Sequence, residues 1–449
     1  MKKIFQYIML AVVTIVMASC TSDIEETTAT TGKSNVQLVV GEFPAFGDSQ
    51  TRTIGTPDEG KTSWAEGDEL LLEIDNTSYG RHNATFTYNG SSWELTSGEL
   101  VYLEGDPAYI SHVYYAPNYK WEAGKLVLKE GKDPGTDEYI EGNARITGNS
   151  ETITVSFAEA TRKYSRLRIA TLPNEQITVD TEYFTPAGSS DMEQEGNYTL
   201  TSDEKGNAYL YGTFENNSEV TVKYREAALT TYTFSQATES AKSYALDATV
   251  ISANSSEEIK SAIEQKVADG KTTIRLNLAP NAGTNEFMAI REAIKGAAPN
   301  DLGTIELTII GVETIPEEAF YKMLQLKSVR MSDVKEIKKY AFKECQYLTV
   351  VEAPSLNKLY SGAFKKCDQL SKLTFGPINY ADARNWPIFE YITPNIDLIL
   401  SDYQKEMIET DSYLYTANND RDYAGSDEHN SKNFLGREFR SITCRYKVK

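Results

Sequence analysis

The chain has 449 residues, enough for about two to four domains that each bury a core. Its 40% hydrophobic and 24% charged residues are ordinary for folded globular protein. A formal charge of −20 excludes nucleic acid as the main partner, because phosphate recognition needs a basic footprint.

The N-terminus reads as an address. Met1, Lys2 and Lys3 are followed by the apolar run Ile4–Ala18, too short to span a membrane, so residues 1–19 form a signal peptide. Met17-Ala18-Ser19-Cys20 resembles a bacterial lipoprotein box, with Met17 where Leu is usual. The resemblance implies that Cys20 becomes the acylated, palmitate-bearing first residue. The alternative is ordinary secretory cleavage beside a stray Cys. Thr21–Glu26 is similar to the acidic export signals of Bacteroides-type surface lipoproteins, which implies an outer-membrane, surface-exposed protein. Residues 20–35 then read as a lipidated tether. No later segment has about 18 consecutive apolar residues, so the mature chain is expected to be anchored by lipid and not to span.

From 36 to 252 short alternating or β-branched runs predict an all-β region. Val36–Val40, Glu69–Ile74, Ala84–Tyr88, Lys125–Lys129 and Thr152–Phe157 are bounded by turn signals such as Asn89-Gly90. Ser165–Ile169, Glu175–Val179, Ala208–Tyr211 and Glu219–Tyr224 continue the pattern. The spacing predicts tandem β-sandwiches, one over 36–160 and a second over 161–252. Thr51-Arg52-Thr53, Ser63–Leu70 and Ala241–Tyr244 resemble the fimbrillin family of Bacteroidales, the lipoprotein pilins and their relatives. That resemblance implies pilin-like sandwiches, other fimbrial subunits as partners, and cleavage by a trypsin-like protease after Arg52. Cleavage would remove Val36–Phe43 and open a groove for a donor strand; the alternative is a plain surface arginine. Trp64 is expected to anchor a core, with Glu66-Gly67-Asp68 turning into the next strand. Tyr114, Tyr115, Tyr119 and Trp121 form an aromatic stretch that could stack on sugars, although core packing explains many such residues.

Residues 253–310 predict a helical and β cap. Ser255–Glu258 is a capping box, Ile259, Ala262, Ile263 and Val267 share a helical face, and Gly270 ends the helix. A second helix is expected around Phe287–Lys295, and Thr304–Ile310 as a strand.

Over 311–376 the chain repeats itself three times at an even spacing. The copies start at Val312, Val334 and Leu356. Apolar columns align as Ile315/Ile337/Leu359, Phe320/Phe342/Phe364, Met323/Cys345/Cys367, Leu326/Leu348/Leu370 and Val329/Val351/Leu373. One such unit cannot bury its apolar side alone, so copies must stack and share a core. The motif IxxxAFxxCxxLxxVxx, fullest over Ile337–Val351, resembles the BspA-like leucine-rich repeat of surface proteins, with Met323 departing from the usual Cys. It implies an α+β leucine-rich-repeat solenoid with caps. Cys345 and Cys367 read as core residues in one column, with a bridge as the alternative. Past Gly376 the register is lost, and 377–449 reads as a C-terminal cap containing a mobile polar loop at 416–433.

Chemistry is poorly supplied. His82, His112 and His429 fall in separate loop-like contexts without ligand spacing, and no GxSxG, P-loop or GxGxxG occurs. No metal, cofactor or enzymatic activity is expected. Residues 315–375 carry 11 Lys/Arg against 7 Asp/Glu, read as a solvated face rather than an anion site. The chain is therefore read as a surface lipoprotein adhesin, a fimbrial tip or accessory subunit, that meets a host or bacterial surface protein or glycan. Alternatives are a glycan-capturing lipoprotein of a nutrient uptake system and a structural pilin subunit.

Overall fold

A computed structural model describes residues 26–27, 37–48, 61–76, 80–98, 108–147, 152–157, 162–225, 227–253, 255–381, 388–392, 395–401, 433–435 and 437–446. Among them the fold is mostly β, in several sheets, with two α-helices. The chain divides into two compact units, residues 1–220 with 232–247, and residues 221–231 with 248–449.

The first unit begins with an eight-stranded sheet in the spatial order Glu26–Thr27, Gln37–Val40, Thr152–Ser156, Ile140–Thr147, Ala108–Tyr115, Glu69–Asn76, Gly80–Tyr88, Trp93–Gly98. Alternation puts Leu70, Leu72 and Ile74 on the face that also receives Leu38, Phe86, Trp93, Val113, Ile140, Ile153 and Val155. Strands from both ends of the order feed one core, so a single sheet curls around it instead of two sheets packing face to face.

The turn into Glu69–Asn76 is legible in the sequence. Gly67 takes φ +92°, and Asp68 closes the turn, its carboxylate accepting from the Ala65 amide at 2.7 Å, Lys61 at 2.9 Å and the Tyr115 hydroxyl at 3.1 Å. Trp64 is only half-buried. It meets Phe43, Trp93 and Tyr115 edge-on at 4.9, 5.2 and 5.3 Å and donates its indole N–H to the Gly41 carbonyl at 2.9 Å.

A second sheet of this unit orders Gln176–Pro186, Asn207–Phe214, Ser165–Ala170, Lys242–Asp247 and Gly47–Asp48, with Glu193–Thr201 paired to Gln176–Pro186. The expected boundary near 160 is not a loose linker. Gly47–Asp48 leaves the first stretch of chain to pair in parallel with Lys242–Ser243. Arg162, fully buried, donates to Glu138 at 2.5 Å and to the Pro44 carbonyl at 2.7 Å, and lies over the Phe46 ring at 3.7 Å. A buried cation held this way ties the two sheets into one unit.

In the second unit, helix α1 (Ser256–Ala268) starts as expected, with the Ser255 hydroxyl accepting from the Glu258 amide at 3.3 Å. Helix α2 (Thr284–Ala297) buries Phe287, Ile290, Ala293 and Ile294, and Glu286 caps the Gly283 amide at 2.8 Å. Beside them runs an eight-stranded parallel ladder: Ile251–Ala253, Thr273–Leu278, Ile305–Ile310, Leu326–Arg330, Val350–Ala353, Lys372–Phe375, Asp397–Ser401, Ser441–Tyr446. A second parallel ladder joins Thr314–Ile315, Glu336–Ile337, Lys358–Leu359 and Tyr380–Ala381.

The repeat register therefore outlives Gly376, against expectation. Leu359 pairs with Ala381 at the same step that separates Ile337 from Leu359, while Leu373 pairs with Leu398 across a longer one. The longer step shifts the phase, and the next ring stacked on Phe364 is Phe389. The ladder also begins earlier, because Leu307 pairs with Val329 at the stagger that joins Val329 to Val351.

Candidate functional site

The repeat region is built from an apolar interior that dictates everything outside it. Ile315, Phe320, Leu326, Ile337, Phe342, Cys345, Leu348, Leu359, Phe364 and Cys367 are fully buried, and Leu370 is 2% exposed. Their rings form a file: Phe287–Phe320 at 5.6 Å, Phe320–Phe342 at 5.1 Å, Phe342–Phe364 at 5.3 Å and Phe364–Phe389 at 5.7 Å. Each thiol donates one rung back, Cys345 Sγ to the Phe320 carbonyl and Cys367 Sγ to the Phe342 carbonyl, both at 3.0 Å. Both cysteines are free. Burial pushes the Cys345 thiol up to about 12 and raises that of Cys367 too. Each carbonyl also accepts from a backbone amide, Phe320 O from Met323 N at 3.1 Å and Phe342 O from Cys345 N at 3.2 Å, so the thiol is a small buried side chain that adds a second, weak donor.

Three outward faces result. On the long ladder, charges alternate in sign between rungs: Lys327–Glu306 at 2.8 Å, Arg330–Glu352 at 2.9 Å, Lys372–Glu352 at 3.8 Å and Arg440 on Asp397. Hydrogen bonds from Arg440 and Ser441 lower the Asp397 carboxyl to about 2. On the short ladder, Lys335 meets Glu313 at 2.5 Å, and Glu336 takes both Lys338 and Lys358, whose hydrogen bonds hold its carboxyl below the usual range.

The third face is made by the turns on either side of each Ala-Phe pair. Two columns there adopt left-handed backbone: Glu318, Tyr340 and Gly362 at φ +56°, +58° and +63°, and Lys322, Glu344 and Lys366 at +56°, +62° and +57°. Backbone hydrogen bonds stack them, as in Lys322 N to Lys343 O at 2.9 Å and Glu344 N to Lys365 O at 2.8 Å. Gly362 is the one sequence sign of this strain, and the Tyr340 ring lies where a Cβ on it would sit, 2.3 Å away. Cations here meet rings and carbonyls more than carboxylates. Lys343 lies 5.0 Å from the Tyr321 ring and 4.7 Å from that of Tyr340, Arg291 donates to the Glu318 carbonyl at 2.8 Å, and Lys295 to that of Tyr321 at 3.3 Å.

Other expected sites fare differently. Cys20 and Arg52 lie outside the described residues, as do His429 and, of the loop expected at 416–433, all but Asn433. Tyr115 is buried in the main core, and Tyr114 and Trp121 pack with the buried Tyr119 and Leu71 and with Leu126 in a second small core, so this stretch is not an open sugar platform. His82 and His112 sit on strands, not loops, paired opposite Ile74 and Glu73. Among the described residues no group of three His, Cys, Asp or Glu side chains could hold a metal. The first unit also holds an open cleft of about 440 Å³ lined by Tyr139, Glu141, Lys163, Tyr164 and Ser189, which the sequence did not suggest.

Comparison with curated proteins and with solved structures gives no significant match. Residues 302–410 match the family described as BspA type leucine rich repeat region (6 copies). The matched span takes in the shifted rung at Asp397–Ser401 as well as the three copies plain in the sequence. Residues 302–410 are thus a BspA-type leucine-rich repeat region.

Proposed function

We propose that this chain is a cell-surface lipoprotein whose repeat region, a capped solenoid, binds a protein or glycan on a host or bacterial surface. The observation that carries the reading is the stack of repeat rungs: a continuous buried core that leaves long, ordered polar faces. A leucine-rich repeat region points to interaction or adhesion, and extended repeat faces suit large partners. Cys20 would carry the lipid, residues 20–35 the tether, and the pilin-like sheets of the first unit the spacing from the membrane. A fimbrial tip or accessory role is the finer reading: Ser441–Tyr446, the strand a polymerising pilin would need free, is the edge strand of the ladder, paired on one side with Asp397–Ser401. No catalytic role is proposed.

The test uses bacteria displaying the full chain. Labelled palmitate should enter the wild type and not Cys20→Ala, external protease should shave the protein from intact cells, and adhesion to host-cell or bacterial surfaces should fall when the chain is deleted. Adhesion unchanged by deletion would sink the adhesin reading, and N-terminal sequencing of shed protein that never begins at Thr53 would remove Arg52 processing.

A further inference from the structure

We propose that the turn face of the repeat region binds an anionic polysaccharide, through ammonium groups interleaved with tyrosine rings. The proposal rests on the binding reading above and names its ligand. On the two ladder faces each of Lys327, Arg330, Lys372, Lys335, Lys338 and Lys358 has a carboxylate within ion-pair distance, Glu336 and Glu352 each serving two cations. A partner gains little from charges already paired across rungs.

The turn face differs in part. Lys322 and Lys343 share Glu344 at 3.7 and 3.9 Å and Lys365 pairs with Glu390 at 2.5 Å, so these three are paired as the ladder cations are. Lys339 instead lies 4.8 Å from the Tyr340 ring, and Lys366 is exposed on its left-handed turn. Glu317, Glu318 and Asp368 stand in the same turns, so the face is not uniformly basic; its cations concentrate around Tyr340 and toward Tyr391. A ring contact leaves the charge of a cation uncancelled, so Lys339 beside the Tyr340 ring, like the exposed Lys366, keeps its attraction for an outside anion. Tyr391 is 67% exposed, the most open large aromatic among the described residues, and Lys365 lies 5.4 Å from its ring.

The spacing favours a polymer. Rungs of a parallel ladder are about 4.8 Å apart, close to the advance of one sugar in an extended chain, and the stacked turns repeat that step in register. Tyrosine faces can meet the C–H faces of sugar rings while lysines meet their carboxylates or sulfates. An acidic peptide would use the lysines and leave the ring faces idle.

The experiment measures binding of the full-length protein to heparin, polygalacturonate, neutral dextran and polyglutamate, at low and high salt. Polygalacturonate offers carboxylates alone and heparin offers sulfates beside carboxylates; tight binding of either supports the proposal. The double variant Lys339→Gln/Lys366→Gln should weaken that binding by about tenfold, and Lys339→Arg/Lys366→Arg should restore it. The control Lys327→Gln/Lys372→Gln should change it less than about twofold. Tyr391→Ala should weaken the glycan but not polyglutamate. The proposal is overturned if neither anionic glycan binds, if dextran binds as well as they do, if polyglutamate binds more tightly, or if the control loses as much as the turn-face variant. Cell adhesion that persists without glycan binding would remove this ligand and leave the adhesin reading standing.

Discussion

Phe342 occupies the middle of the ring file, fully buried, with Phe320 at 5.1 Å and Phe364 at 5.3 Å on either side. Replacing it with Ala removes a whole ring from a core that cannot collapse, because parallel backbone hydrogen bonds hold its neighbours one rung away. Phe→Ala in a core costs about 3–5 kcal/mol, and each lost ring pair adds about 0.5–1.5 kcal/mol beyond area. An expected loss of about 5 kcal/mol follows, near the upper end of the range. Phe342→Leu keeps most of the volume and loses mainly the ring pairs, so about 1–2 kcal/mol is expected. With a urea slope of about 3 kcal/mol/M, the Ala variant should shift the transition of the repeat unit down by roughly 1.7 M and the Leu variant by about 0.5 M. Urea unfolding of the full chain, followed by hydrogen exchange in peptides from 312–376, reads that unit apart from the first. The reasoning is refuted if Phe342→Ala unfolds at the same urea concentration as the surface variant Lys327→Ala, or if exchange in the flanking turns is unchanged.

Three further outcomes are expected. Gly362→Ala meets both a φ of +63° and the Tyr340 ring, and should cost about 1–2 kcal/mol; thermal melts of it and of Tyr340→Ala/Gly362→Ala should show partial recovery in the double variant. Arg162→Leu strands the Glu138 carboxylate in a buried site and should cost about 3–5 kcal/mol, with Arg162→Leu/Glu138→Leu recovering most of it in denaturant unfolding. Asp397, lowered to about 2 by Arg440 and Ser441, lends stability that is complete above the unfolded value of about 3.9 and is lost as pH falls through 2. The pair is partly exposed, so the effect is small. Exchange in Ser441–Tyr446 should rise between pH 4 and pH 2 in the wild type, and Asp397→Asn should already show that rise at neutral pH.

The repeat core was legible because stacking demands the same residue type at each rung. Phe320, Phe342 and Phe364 must recur if rings are to touch, and the even step between them is the length of chain from one touch to the next. Ser255 and Gly270 were equally plain, since capping and left-handed termination are local chemistry. The next rung was hidden by a longer step, which leaves the spatial stack intact while breaking the linear period that reveals it. Tyr115 and Tyr119 were open to a surface reading because alternation places a side chain on one face of a sheet without telling whether that face is later covered.

The sequence alone thus determined the repeat, its buried columns, the two helices and the predominance of strands, all properties carried by neighbours in the chain or by periodicity. Tertiary structure alone decided that Gly47–Asp48 joins the second sheet, that Arg162 meets Glu138 in a buried pair, and that most lysines of the repeat meet a carboxylate while Lys339 lies against the Tyr340 ring. Those outcomes depend on which groups meet across the folded interior. Burial and pairing of charge are set by that meeting, and no local pattern records it.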